Sequence, residues 1–232
     1  MVLGPSGEVG RELVRTLVET NAYSKIVTAS RRKIEIIHEP SSDKNHAVNT
    51  QNITQVVPVD YDNEEAIKAM FEENKPDVVF CCLGTTRGIS GKEGFYRVDH
   101  DYVMLAAKTA KSTGVSTFSI CSASNANINS MFYYPKVKGQ VEAELKQVGL
   151  EKLSIFQPGF LECNRENERI GEKIAGYFLP VAKYFFPDRI SVLTSSVAKA
   201  MVYDSLLKVS ETPVVKTYSN SSIIDIGNDF YC

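Results

Sequence analysis

No tryptophan occurs in the 232 residues, histidine occurs three times, and neither sign of charge is in clear excess. Lysine and arginine number 26 against 28 aspartates and glutamates, a formal net charge of −2, which offers no basic surface to a nucleic-acid backbone. His38, His46 and His100 are scattered and share no ligand spacing with the cysteines, so no metal centre is expected. No basic and apolar leader precedes Gly4, which argues against a secretory signal. The longest apolar stretch, 174–186, is interrupted by Pro180 and Lys183 and is too short to cross a bilayer. Neither a Gly-x-Ser-x-Gly elbow nor a Gly-Lys-Ser/Thr phosphate loop occurs. The five cysteines are odd in number. Cys81, Cys82 and Cys121 lie in strand-like runs, whereas Cys163 and Cys232 are isolated, a usage that reads as reduced thiols in a reducing compartment. The expected address is the cytoplasm, with the nucleus or nuclear envelope as a second one.

What the chain does have begins at once. Gly4-Pro5-Ser6-Gly7-Glu8-Val9-Gly10 sets three glycines three apart, ahead of an amphipathic run over 11–23. Small residues let a backbone approach phosphates, and the N–H groups and positive dipole of a helix start attract the anion. Only Met1-Val2-Leu3 precede the turn, so the first strand is expected to be short of the residues that would complete it.

Downstream, strand-like runs at 25–29, 55–59, 77–82, 117–121 and 153–156 alternate with helical spacing at 64–74, 99–113 and 134–148. Such alternation predicts an α/β fold, a Rossmann-like doubly wound parallel sheet with right-handed crossovers, in one domain over 1–232. The polar stretch 39–52 reads as a long loop. From 162 the pattern is less regular, with a last strand near 214–218 and the segment 162–196 expected to cover the substrate cleft.

Two features bear on the cofactor. The second strand ends in Ser30-Arg31-Arg32, with no carboxylate before Glu35. An acidic residue there binds the ribose 2′-hydroxyl of NAD, whereas two guanidiniums clamp a 2′-phosphate, which points to NADP(H) over a merely solvated pair. Asp60 is a candidate for the adenine amino group and equally for a turn residue. Leu83-Gly84-Thr85-Thr86 closes the fourth strand, where a glycine lets a cofactor lie against the sheet edge, although an ordinary turn has the same composition.

The candidate chemistry sits in Ser122, Tyr134 and Lys138. Tyr134 and Lys138 are four apart and share a helix face, while Val137, Val141, Leu145 and Val148 form a buried one. Tyr133 has Val137 at its fourth position, so the spacing selects Tyr134. A tyrosine of pKa about 10 is a poor base until an ammonium stabilises its phenolate. Ser122, just past the fifth strand, falls at the same sheet end and is expected to hydrogen-bond and orient the substrate oxygen. A lone Tyr-x-x-x-Lys is commonly surface packing; the glycine turn and the upstream serine give it weight.

Four stretches carry a family likeness: 3–10, Phe80-Cys-Cys-Leu-Gly-Thr-Thr-Arg-Gly88, Val98-Asp-His-Asp-Tyr-Val103 and Val137-Lys-Gly-Gln-Val-Glu142. On these the chain resembles the short-chain dehydrogenase/reductase superfamily, in an atypical branch similar to the HIV Tat-interacting oxidoreductase family of metastasis suppressors. The resemblance implies that Ser6, Gly7, Glu8 and Val9 line the pyrophosphate, Arg31 and Arg32 the 2′-phosphate, and Leu83 and Gly84 the adenosine half. It implies Tyr134 and Lys138 as the catalytic pair, with Leu161 and Arg169 toward the nicotinamide. It further implies hydride transfer on a small carbonyl or alcohol by a monomer or weak homodimer, and a link to nuclear transport receptors and apoptosis. The chain departs from the family pattern in its short first strand, its long 39–52 loop, and Gln157 where an arginine is expected before Pro-Gly. Two alternatives stand beside the enzyme: an NADPH-sensing binding protein with little turnover, and a structural protein with a relic site.

Overall fold

Short strands, buried in the middle of the sheet and half-exposed at its edges, alternate with helices that pack on both of its faces, the pattern of a covered parallel sheet. A computed structural model describes residues 1–35, 52–162, 190–208 and 213–230. The expectations placed on 39–51, on the apolar run 174–186, and on Cys163, Arg169 and Cys232 lie outside the described residues.

Strand β1 is Val2–Leu3, followed by helix α1 (Glu8–Thr20), β2 (Ile26–Ala29), β3 (Ile53–Val56), α2 (Glu64–Asn74) and β4 (Val78–Cys81). Helix α3 (Arg87–Tyr96) runs through a π turn (Arg97–Asp101) into α4 (Tyr102–Ser112), and β5 (Thr117–Cys121), α5 (Tyr133–Leu145) and β6 (Lys152–Phe156) follow. Strands β7 (Phe160–Glu162) and β8 (Ser191–Leu193), helix α6 (Thr194–Leu206), β9 (Val214–Tyr218) and α7 (Asn220–Asp229) complete the order.

The main sheet has seven strands in the order β3-β2-β1-β4-β5-β6-β9, every neighbouring pair parallel. One face packs α1, α6 and α7 through Val9, Leu13, Leu17, Val197, Met201 and Ile223; the other packs α2, α4 and α5 through Ile67, Phe71, Val103, Ala107, Val141 and Leu145. Winding reverses between β1 and β4, and in open α/β sheets ligands collect outside the strand ends at that point. Local chemistry agrees with the helix ends: Asn63 caps α2 by accepting the Ala66 N–H at 3.1 Å, and Lys75 stops it in a left-handed conformation.

The first strand, Val2–Leu3, is laddered on both sides. The Met1 nitrogen donates to Val78 O at 2.7 Å, Met1 O accepts from Phe80 N and Leu3 O from Cys82 N, both at 2.8 Å. Strand β3 runs over Ile53–Val56 rather than 55–59, because Pro58 has no N–H with which to extend a ladder. The helix expected from Asp99 begins earlier, in α3 and the π turn, with a break at Gly91 where φ is +70°. The described residues 190–208 and 213–230, in the part expected to be less regular, hold two helices beside the expected strand at 214–218; Gly227 lets the helices close up, since a Cβ there would lie 2.6 Å from Ser196 Cβ.

The sheet's other end holds a buried charge. Lys152, the first residue of β6 and 2 % exposed, places its ammonium 3.1 Å from Asp204 Oδ2 on α6, which is fully buried. Ser154 Oγ and Tyr218 Oη donate to the same carboxylate at 2.5 and 2.6 Å.

Candidate active site

The glycine turn is built on backbone proximity. Gly4 has φ +77°, and a Cβ on it would stand 2.6 Å from Cys82 O, so the turn after β1 lies directly on the chain leaving β4. At Gly10 a Cβ would stand 2.2 Å from Gly4 O, which makes Gly10 the residue that lets α1 seat against its own turn. The carbonyl of Gly4 accepts the Gly7 N–H at 3.2 Å and that of Gly7 accepts the Arg11 N–H at 2.9 Å, starting the helix. Gly7 brings no side-chain cap, Ser6 and Glu8 flank it, and Val9 turns its side chain into the core beneath. An uncapped helix start beneath small residues suits a pyrophosphate. Gly10→Ala is expected to cost at least tenfold in dinucleotide affinity, about 1.4 kcal/mol, together with a lower melting temperature; titration of the purified variant with NADPH checks it.

Arg31 and Arg32 are exposed at the carboxyl end of β2 and pair with no carboxylate among the described residues; Ser30 Oγ holds their turn by donating to Arg32 O at 2.6 Å. Asp60 is exposed and its Oδ1 accepts the Asp62 N–H at 3.0 Å, the turn role of its two expected ones. Leu83 packs on the core, and a Cβ on Gly84 would lie 3.5 Å from Asp99 Oδ1. Leu161 is 41 % exposed on β7, in register with Val192 of β8.

Helix α5 presents Tyr134, Lys138 and Glu142, each four residues after the last, toward the ends of β4 and β5. Tyr134 is 40 % exposed, with its ring 5.6 Å from that of Phe95. Tyr133 is engaged elsewhere: its hydroxyl donates to Lys92 O at 3.2 Å and its face receives the Lys92 ammonium at 5.0 Å. Lys138 is buried, and its ammonium lies 2.7 Å from Oδ1 of Asp99, a residue of the π turn that is 1 % exposed. Asp99 Oδ2 accepts the Thr85 N–H at 2.8 Å.

Two sequence expectations need correcting. Lys138 does pull the Tyr134 phenol down, but burial pushes it up by more, and Asp99 and Cys121 add to the push, so the phenol lies above its usual range. The Lys138 ammonium is held charged: burial opposes its charge, and Asp99 followed by Tyr134 overcomes that. Ser122, expected to orient a substrate oxygen, donates its hydroxyl hydrogen to Glu142 Oε1 at 2.5 Å. With that hydrogen engaged it keeps only its acceptor capacity. Glu142, 6 % exposed, also receives Gln157 Nε2 at 2.9 and 3.1 Å. Gln157 therefore serves a buried carboxylate, a role for which an uncharged amide suffices.

Asp99 and Glu142 were not identified as functional residues from sequence. Glu142 sits eight residues after Tyr134 on the same helical stripe, a signal present in the spacing. Asp99 carried no such mark, because the π turn that aims it inward has no sequence signature here. Burial drives the thiols at the strand ends up, Cys81 to about 12, Cys121 to about 11 and Cys82 well above its ordinary value, which favours their protonated form at neutral pH. Among the described residues no group of His, Cys, Asp and Glu is placed to hold a metal, and no helix is long and apolar enough to cross a membrane.

Comparison with known proteins adds to the geometry. A profile of NAD(P)H-binding proteins matches residues 4–202. Protein HTATIP2 of Rattus norvegicus is 33% identical over 228 residues, 98% of this chain and 88% of the relative. Protein FMP52, mitochondrial, of Saccharomyces cerevisiae is 30% identical over 170 residues, 73% of this chain and 68% of the relative. Among solved structures, UDP-glucose 4-epimerase of Thermotoga maritima with UDP-glucose superposes with a TM-score of 0.65 at 16% identity, covering 93% of this chain and 75% of that one. WbmH of Bordetella bronchiseptica in complex with NAD+ gives 0.62 at 13% identity, covering 94% and 73%. These two likenesses are of fold.

Proposed function

The chain belongs to the NAD(P)H-binding family, in its short-chain-dehydrogenase-like form, and from that membership we propose that it is an NADP(H)-dependent oxidoreductase acting on a carbonyl or alcohol. The observation that carries this reading is the buried Lys138–Asp99 pair beneath Tyr134, at the sheet end where the glycine turn opens. In this reading Gly4, Ser6, Gly7, Glu8, Val9 and Gly10 cradle the pyrophosphate through backbone and small side chains. Arg31 and Arg32 clamp the 2′-phosphate, Leu83 and Gly84 flank the adenosine, and Leu161 approaches the nicotinamide.

When bound, the dinucleotide supplies or takes up the hydride. Tyr134 exchanges a proton with the substrate oxygen, and Lys138 fixes the position of Tyr134 and reaches the nicotinamide ribose. Ser122, its hydrogen on Glu142, accepts from a substrate hydroxyl. The apolar side chains of Met131 and Phe132, 99 % and 77 % exposed just before α5, favour an apolar or amphipathic substrate.

The test compares NADPH with NADH on the intact chain, by fluorescence or thermal shift. Preference for NADPH is expected, and Arg31→Ala/Arg32→Ala weakens NADPH by roughly ten- to a hundredfold, since a charge-assisted hydrogen bond contributes about 1.5–3 kcal/mol. NADH affinity stays unchanged. Equal affinities for the two in the parent chain would assign both arginines to the solvated surface.

One observation favours a second reading, an NADPH sensor that binds protein partners such as nuclear transport receptors: the Ser122 hydrogen is withheld from a substrate oxyanion. A partner affinity indifferent to NADPH removes that reading.

A further inference from the structure

A buried ammonium four residues from a tyrosine stabilises the phenolate when it acts as a single charge. Lys138 does not. Its nitrogen is 2.7 Å from Asp99 Oδ1, and both side chains are almost wholly out of solvent, at 7 % and 1 % exposure. Asp99 is itself fixed, since its second oxygen accepts the Thr85 N–H at 2.8 Å. A cation and an anion so close act on a third group as a short dipole, and their effects on Tyr134 oppose each other. Burial is the largest influence on Tyr134; among the described residues the other groups facing it are Cys121 from β5, which reinforces the carboxylate, and the Phe95 ring from α3, which carries no charge.

We propose that Asp99 is a positioning residue that offsets the Lys138 charge beside Tyr134, so that the site works as a proton donor. The inference rests on the reading of Tyr134 as the acid–base group and narrows it to one direction, the reduction of a carbonyl by the reduced dinucleotide. With the reduced dinucleotide bound, a hydride would pass to the carbonyl carbon, one C–H bond of the dinucleotide breaking as the new one forms and the dinucleotide being left oxidised, while the carbonyl π pair moves onto oxygen. The oxygen takes the Tyr134 proton as the phenol O–H breaks, and the phenolate regains a proton from water at the rim. The reverse direction needs the phenolate at the outset, the form that Asp99 disfavours.

The test reads Tyr134 itself, by NMR of protein labelled with [13Cζ]tyrosine, the resonance being assigned from its loss in Tyr134→Phe. In the parent chain the resonance should titrate above pH ~10, the value of a free tyrosine. Asp99→Asn should move the transition down by about one to three pH units and Lys138→Gln should move it up, the range seen when a close charge is unmasked. Removing both charges in Asp99→Asn/Lys138→Gln should leave it within ~0.5 of the parent value if the two offset each other. That double variant strands no buried charge, so if Asp99→Asn fails to fold, an unmoved double variant beside an upward shift in Lys138→Gln decides the matter. An unmoved transition in Asp99→Asn, or an upward shift of about a unit or more in the double variant, overturns the proposal. The titration needs neither substrate nor dinucleotide. Its failure removes the role of Asp99 alone, whereas failure to bind NADPH removes the oxidoreductase reading and leaves the titration standing.

Discussion

Tyr134→Phe is expected to slow the NADPH-dependent reduction of any carbonyl that the parent chain turns over by about two to four powers of ten, the usual contribution of a positioned acid. Dinucleotide affinity and melting temperature should stay close to those of the parent. The variant is clean because the phenol makes no hydrogen bond to another described side chain, while the ring, 5.6 Å from Phe95, is retained. Lys138 keeps Asp99 as its partner, so no buried charge is left unpaired. The measurement is kcat and kcat/KM against the parent, with NADPH affinity read on the same samples. Equal loss in both constants marks an interaction made only in the transition state; unchanged turnover takes Tyr134 out of the mechanism.

Asp204→Ala should be the most damaging single change to stability, at about 3–5 kcal/mol, because it leaves the Lys152 ammonium buried without its counter-charge. Ser154 and Tyr218 lose their acceptor at the same time, 2.5 and 2.6 Å from their hydroxyls in the parent. For a chain of this size the loss corresponds to roughly 6–20 °C in melting temperature. Replacing both charges, as in Lys152→Met/Asp204→Leu, should recover the part that comes from the stranded ammonium, since an apolar pair avoids the desolvation of two ions, while the Ser154 and Tyr218 hydroxyls stay without their acceptor. Urea denaturation with a common m-value checks both variants. A loss below about 1 kcal/mol in Asp204→Ala would mean that water reaches Lys152 in the folded state. The cluster lies at the amino end of β6, away from the site, so NADPH binding by the surviving folded fraction should be unaffected.

The sheet was legible because its signals are local. The buried strand 117–121 and the half-exposed edge strand 214–218 are short apolar or β-branched runs, and the glycine turn is set by spacing. Tyr134 and Lys138 were legible for the same reason, four apart on one helix. What escaped depends on contacts between distant segments. The upward shift of Tyr134 needs the burial that only the assembled fold supplies. The loss of the Ser122 hydrogen needs a carboxylate twenty residues on, from the facing helix. Helix α6 escaped because Thr194-Ser-Ser-Val-Ala-Lys-Ala-Met buries nearly every side, which erases the amphipathic period. Strand β3 was placed late because Val56-Val57-Pro58-Val59 reads as one apolar run, and only the proline shows where pairing stops.

The π turn between α3 and α4 has a consequence for how this segment can vary. In an α-helix, consecutive side chains diverge by about 100°, so neighbours do not reach the same partner helix. Here Asp99 reaches Lys138, while the next residue, His100, stands 3.2 Å from Glu144 and contacts Gln140, so two successive positions grip α5 at different heights. Two handholds on one rod fix both its rotation and its level. Substitutions on the outer surface of the turn leave that grip intact, whereas a change of a single residue in its length swings one handhold away and carries Tyr134 with it. The segment behaves as a gauge block whose length, more than its composition, is under constraint.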